Sequence, residues 1–277
     1  MAAAIHPSAA PGPPVPIFRL ADIRFDYVLS RTASLLVIDS ASLTLARGEV
    51  VAILGPSGCG KSTLLAIAAG LVRARAGRVE IDGADATGVP GRTGFMMQRD
   101  ELLPWRTVLE NVLLGPEVVA GRVGEADRSR ARDLLAIAGL AGFEQHYPSA
   151  LSGGMRQRAA FVRTLMLDRP LVLLDEPFGA LDAITRAEMQ EWLLRMREEL
   201  SLTLLMVTHD VDEAIFLSDR VLVMSPRPAR FVLEARVPFE RPRDYEAIVA
   251  QPGFGILKSE LLHAIRAPSR WLAEVDG

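Results

Sequence analysis

The chain contains a single cysteine, Cys59, which excludes an internal disulfide and suits a reducing compartment. It has little charge imbalance: 31 Lys and Arg stand against 34 Asp and Glu, for a net charge of −3, so no overall field recruits nucleic acid. It lacks any apolar run near the roughly 18 residues that cross a bilayer. Its longest apolar stretches, such as LLAIAAGLV over 64–72, contain a glycine and stop short. The opening MAAAIHPSAAPGPPVP has no basic region ahead of its apolar residues and is broken by prolines. That argues against a secretory signal and for a disordered leader over 1–16. No internal repeat is visible. These absences lead to the expectation of a cytoplasmic protein that meets a membrane only through a partner.

What is present is ordinary globular material: 277 residues with 49% hydrophobic and 23% charged, enough for one large or two modest domains. Residues 17–28 and 35–46 alternate apolar and polar positions, as half-exposed antiparallel strands do. GEVVAILG (48–55) is apolar without a break, as in a strand covered on both faces. A helix is expected from about 61 to 71, then strands over 77–82 and 93–98. From about 100 to 167 the spacing turns helical, with WRTVLENVLLG, GEADRSRARDLLAIAGL and LSGGMRQRAAFVRTLML each reading as a helix. LVLLD (171–175) and LTLLMVTH (202–209) are again buried strands, flanked by helices at 183–200 and 210–217. RVLVMS and ARFVLEARV read as strands, and 242–266 as a helix. The expected fold is an α/β core over 17–98 and 168–240, split by a helical insertion over 99–167 and followed by a helical tail over 241–277.

The nine residues GPSGCGKST carry the first chemistry. Gly55, Gly60, Lys61 and Ser62 satisfy G-x-x-x-x-G-K-[ST], and the motif lies between a buried strand and a helix. Glycines let successive backbone N–H groups face phosphate oxygens, and the helix beginning near Lys61 adds its positive end. Lys61 supplies a cation for the outer phosphates, and the Ser62 hydroxyl can ligate Mg²⁺. The whole loop, Gly55, Pro56, Ser57, Gly58, Cys59, Gly60, Lys61, Ser62 and Thr63, is therefore expected to bind a nucleotide's phosphates. Alkylation of Cys59 is expected to block that binding, and bound nucleotide to protect it. A G-x-S-x-G hydrolase elbow is excluded because Cys59 occupies the final glycine position.

LVLLDEP places Asp175 and Glu176 at the end of a buried strand. Neighbouring strand residues point to opposite faces, so one site can use the two carboxylates differently. Asp175 is expected to hold Mg²⁺ through water, and Glu176 to orient and polarise the attacking water in phosphoryl transfer.

A second glycine pair stands in LSGGMRQR (151–158). Ser152 there reads either as an ordinary N-cap with Gly153 and Gly154 easing the helix start, or as part of a phosphate grip built from the hydroxyl, the glycine N–H groups and the helix dipole. The residues alone leave both open.

GPSGCGKST, the glutamine of FMMQRDELLPW, LSGGMRQR, LVLLDEPFGALD and VTHD occur in the order found in the ABC transporter ATPase subunits, and the chain resembles that family over about residues 17–226. The resemblance implies a P-loop NTPase core with a mixed sheet, an antiparallel β subdomain and an inserted α-helical subdomain. It implies ATP and Mg²⁺, and a head-to-tail homodimer in which the LSGG helix of each chain closes over ATP held by the other. By the same resemblance Gln98 contacts Mg²⁺ or the water and reports nucleotide state to the insertion, and His209 contacts the γ-phosphate. Asp182 lies at the dimer seam beside the catalytic water, and Tyr27 stacks on adenine, with Phe25 as the other candidate.

RDELLPWRTVLENVLLGP is similar to the importer subgroup for nitrate, sulfonate, taurine and thiamine-pyrimidine precursors, as is 225–244. Leu102, Leu103, Pro104, Trp105 and Val108 form an apolar group, part of it expected to dock a membrane permease and the rest to pack within the insertion. The implied protein is an ATP-hydrolysing importer subunit, peripheral on the cytoplasmic face of the cell membrane, with a permease and indirectly a solute-binding protein as partners. The alternatives are a split exporter ATPase or a non-transport ABC ATPase.

Overall fold

The computed structural model describes residues 16–30 and 32–266; of the leader expected over 1–16 all but the last residue, and of the tail residues 267–277, lie outside them. In chain order the strands and helices are β1 (Phe18–Val28), β2 (Ser34–Leu45), β3 (Val50–Leu54), α1 (Lys61–Ala68), β4 (Ala76–Ile81), β5 (Ala84–Asp85), β6 (Gly94–Met96), α2 (Val108–Val112), α3 (Leu114–Ala120), α4 (Glu125–Ile137), α5 (Gly153–Leu165), β7 (Val172–Asp175), α6 (Ala183–Leu200), β8 (Leu204–Val207), α7 (Val211–Leu217), β9 (Arg220–Met224), β10 (Phe231–Arg236), α8 (Tyr245–Val249) and α9 (Pro252–Arg266).

Two sheets form. The first is antiparallel in the order β2-β1-β4-β5, and the second runs β10-β9-β3-β8-β7-β6. In the second, β3 is parallel to β8 and β9, and β7 is parallel to β8 and β6, while β10 closes the edge antiparallel to β9. The alternation in β1 does what half-exposed strands do: Phe18, Leu20 and Ile23 turn inward, while Arg19 and Asp22 face solvent.

The unbroken apolar runs are explained by packing on both sides of the second sheet. Val50, Ala52 and Leu54 of β3, Val172 and Leu174 of β7, and Leu204 and Met206 of β8 face one core, shared with α2, α4, α5, α6 and α7. Val51, Ile53, Leu173, Leu205 and Val207 face a second core, shared with α1 and the antiparallel sheet. Alternate residues thus belong to different cores, so the apolar positions on these strands do not tolerate a charge, and the one carboxylate, Asp175, stands at the end of β7.

Three helical expectations are corrected. The helix from Lys61 stops at Ala68, because Gly70 adopts φ 72° and its ideal Cβ would lie 2.3 Å from Val89 O, a place only glycine fills. WRTVLENVLLG is two short helices, α2 and α3, meeting at Leu113. The region 242–266 is α8 and α9, broken at Ala250–Gln251, because Pro252 opens a helix but disfavours helical backbone in the residue before it.

Candidate functional site

The candidate side chains gather where the parallel strands end. The phosphate loop follows β3, Asp175 closes β7, and Thr208–His209 follow β8. Adjacent parallel strands bring their carboxyl ends to one edge, which is where open α/β sheets bind ligands.

Lys61 is buried and reaches back across its own loop, its Nζ donating to Gly55 O at 2.8 Å and Pro56 O at 3.2 Å. Gly60 precedes α1 at φ 123° and provides no side-chain cap, so the first N–H groups of the helix face outward for an anion. An ideal Cβ on Gly60 would lie 2.8 Å from Val37 Cγ1, and one on Gly55 would lie 2.9 Å from Met224 O. Close approach thus fixes both glycines, and at Gly60 the backbone conformation does so as well.

Cys59 sits differently from what a loop thiol suggests. Its side chain is 2% exposed, packed under Gly55, and burial pushes the thiol's pKa up against the lowering influence of Lys61. Only a reagent that opens the loop reaches the sulfur.

The two carboxylates take separate partners. Ser62 Oγ donates to Asp175 Oδ1 at 2.9 Å. Desolvation raises the pKa of Asp175, with the Ser62 hydrogen bond opposing it. A hydroxyl and one carboxylate at the mouth of a phosphate loop are hard oxygen donors, few in number, which fits Mg²⁺ with its preference for water and phosphate in the remaining positions.

Glu176 turns away at φ 45°, an uncommon conformation for a residue with a Cβ, and its N–H is held by Val207 O at 3.0 Å. Its Oε2 lies 3.1 Å from His209 Nδ1 and 3.5 Å from Gln98 Nε2. Gly179 leaves the space for this meeting: its ideal Cβ would lie 3.3 Å from Gln98 Nε2.

Tyr27 and Phe25 stack edge to face at 4.9 Å, but only Tyr27 is on the surface, at 45% exposure, with its hydroxyl 3.2 Å from Thr63 Oγ1. Phe25 is buried in the core beneath it. Asp182 caps α6, accepting from the N–H groups of Ile184 and Thr185 and from the Thr185 hydroxyl, and these bonds lower its pKa.

The second glycine pair divides its labour. Ser152 is exposed and caps α5 through Met155 N at 3.3 Å. Gly154 is buried against α6, its ideal Cβ only 3.0 Å from Thr185 Cγ2, so its smallness serves packing. Ser152 and Gly153 form the outward rim.

Sequence reading missed the polar fasteners. Gln157 of α5 is buried and donates to Pro177 O at 2.7 Å and Gln98 O at 3.5 Å. Arg156 Nε donates to Asp100 Oδ2 at 3.1 Å, and Arg163 donates to Asp100 O and Glu101 O, each at 2.7 Å. One helix face thus grips the segment after Gln98. Asn111 is fully buried and holds LLPWRT as a loop, accepting from Leu103 N at 2.7 Å and donating to the carbonyls of Leu103, Arg106 and Thr107. With that loop set, Leu102 and Val108 pack inward while Trp105 stands 70% exposed. The glutamine and asparagine amides were the available signals, but their partners are remote backbone carbonyls that no local pattern displays.

The chain is similar to known proteins over most of its length. The family described as ABC transporter matches residues 38–179. An aliphatic sulfonates import ATP-binding protein of Bacillus cereus is 41% identical over 223 residues, covering 80% of this chain and 87% of that protein. A taurine import ATP-binding protein of Pseudomonas aeruginosa is 44% identical over 233 residues, covering 82% and 87%. Among solved structures, a dimeric ATP-binding cassette in a post-hydrolysis state with ADP and Pi superposes with a TM-score of 0.67 at 31% identity, covering 80% of this chain and all of that one.

Proposed function

The chain belongs to the ABC transporter family and is one of its ATP-hydrolysing subunits, and from that premise we propose that it powers uptake of a small sulfonate-type solute through a separate membrane permease. The observation that carries the ATPase reading is the meeting of Gln98, Glu176 and His209 at the carboxyl edge of the sheet, next to the Ser62–Asp175 pair. The importer reading rests on likeness to import subunits across four-fifths of the chain.

In this reading the backbone of Gly55 to Thr63 and the Lys61 ammonium hold the phosphates of ATP, and Tyr27 stacks on the adenine. Ser62 and Asp175 would hold Mg²⁺, with Gln98 beside them, and the ion would supply positive charge against the phosphates. Glu176 orients the attacking water and accepts its proton, while His209 stabilises both Glu176 and the γ-phosphate. Asp182 lines the seam between two copies.

The Ser152–Gly153 rim serves a second copy's nucleotide, so each chain carries half of two sites. ATP closes the dimer and hydrolysis reopens it, a shift driven by tighter binding of ATP to the closed state. The insertion over 99–167 conveys that motion: Gln98 is tied to α5 through Gln157, and Asp100 through Arg156, and Trp105 with Leu103 and Pro104 presents an apolar tip to the permease. The protein is accordingly peripheral on the cytoplasmic face of the membrane. Among the described residues no helix is long and apolar enough to cross it.

The test is reconstitution of the chain with its permease in vesicles, followed by ATP turnover with solute-loaded binding proteins for an alkanesulfonate, taurine, nitrate and a pyrimidine precursor. Stimulation by a sulfonate-loaded protein, with uptake into the vesicle, is expected. Outward movement of solute would instead identify an exporter.

A further inference from the structure

Glu213 is a buried acid that the mechanism above leaves unused. It lies in the first turn of α7, 5% exposed, and its Oε2 accepts from Gln190 Nε2 of α6 at 3.4 Å. Its backbone N–H donates to Asp210 Oδ1 at 3.1 Å, in the turn that carries His209. Its other oxygen, Oε1, is buried without a partner among the described residues. A small cleft is lined by Glu176, Gly179, Thr208, His209 and Glu213 together. The buried acid therefore stands directly behind the Glu176–His209 pair.

Its connections join two functional turns. Asp210 follows His209, and Gln190 belongs to the helix that Asp182 caps. Arg186 strengthens the same junction from α6, pairing with Asp210 at 3.8 Å and donating to Leu181 O at 3.1 Å. We propose that Glu213 is a positioning residue for ATP hydrolysis, tying the β8–α7 turn that carries His209 to helix α6 so that His209 stays against Glu176. This rests on the reading of Glu176 and His209 as the hydrolytic pair.

The charged surroundings give the tie a pH dependence. Burial raises the carboxyl pKa to about 8, with Asp210 adding to the rise, while Thr208, Arg186 and Gln190 oppose it. Strand β3 brings no titratable group to α7. From β9, Arg220 pairs with Glu49 and Glu234, and from α9, Lys258 pairs with Asp212. Near neutrality Glu213 is thus mainly the uncharged acid, and above about pH 8 it becomes a buried anion beside Asp210. The sign for stability follows: the folded state keeps a proton that the unfolded chain releases near pH 4.5, so stability falls as pH rises from there to about 8 and is flat beyond.

The experiment compares the full chain with Glu213→Gln and Glu213→Leu, measuring kcat and KM for MgATP from pH 6 to 10 and urea midpoints from pH 5 to 8. Glu213→Gln, always neutral, is expected to keep kcat at pH 7 within about threefold and to lack the alkaline decline expected of the wild type above about pH 8. Its urea midpoint should fall less than that of wild type as pH rises. Glu213→Leu should lower kcat at least about tenfold with KM for ATP changed less than about threefold. If it fails to fold, Gln190→Leu removes the same contact and should give the same split. An alkaline decline shared by wild type and Glu213→Gln, or unchanged kcat in the folded leucine variant, overturns the proposal. Turnover that survives Glu176→Gln overturns the underlying reading of the site instead, and so is told apart from failure of the Glu213 role.

Discussion

Glu176 Oε2 lies 3.1 Å from His209 Nδ1, although β8 and its flanking turns separate the two in the sheet's growth and 33 residues separate them in the chain. With Glu176 ionised, the contact needs a proton on Nδ1, which leaves the opposite ring nitrogen to face a ligand. The left-handed backbone at Glu176 makes the meeting possible by swinging its carboxylate away from that of Asp175.

Replacing Glu176 by Gln should preserve nucleotide binding, because the phosphate loop is untouched. Turnover should fall by at least about 100-fold, the usual weight of a general base. Trapped ATP should then hold two copies together. Size-exclusion chromatography in saturating MgATP is the check, and a protein that stays monomeric there would count against the shared site.

Ser152→Arg separates the two glycine motifs. Ser152 is exposed, so the fold survives with only about 1 kcal/mol lost with the N-cap. Binding of a fluorescent ATP analogue should be near normal while hydrolysis disappears. Ordinary turnover in this variant would show that the α5 rim does not serve a second copy's nucleotide.

Cys59 should react slowly. Its burial and its raised thiol pKa both suppress the thiolate, so at pH 7 maleimide labelling of the native chain should run at least about tenfold slower than labelling in urea, and should accelerate with pH. MgATP should slow it further, and the labelled chain should no longer bind ATP. Equal native and unfolded rates at pH 7 would refute the buried placement.

Arg243 closes the end of α7. Its guanidinium donates to Ile215 O at 3.2 Å, Phe216 O at 3.0 Å and Ser218 O at 2.6 Å, carbonyls that the helix itself leaves without partners. Arg243→Ala should lower the unfolding free energy by about 2–4 kcal/mol, read from the urea midpoint. Arg243→Lys should recover only part of that, since one ammonium can take the place of Nη1 but not also of the Nε and Nη2 donors that bind Phe239 O.

The parallel strands were legible because burial on both faces demands an unbroken apolar run, and β3, β7 and β8 each show one. The phosphate loop was legible because its glycines carry a local backbone requirement. The two-part insertion helix, the broken tail and the short strand β5 were not, since short elements carry too few periods to register. Gln157, Asn111, Arg243 and Glu213 escaped for another reason. Each is defined by partners that folding brings from 20, eight, 25 to 28, and 23 positions away, or by backbone carbonyls with no side-chain signature.

Taken alone, the residues determined the family, the order of the motifs and the loop that receives phosphate, because spacing along a strand–turn–helix unit is written directly into the chain. Folding decided the rest. It chose Tyr27 over Phe25 as the surface ring, gave Gly154 to packing and Ser152 to the rim, hid the thiol of Cys59, and set Glu213 behind His209. Those outcomes depend on which atoms from distant segments compete for the same space, a quantity that exists only once the two cores have closed around the sheet.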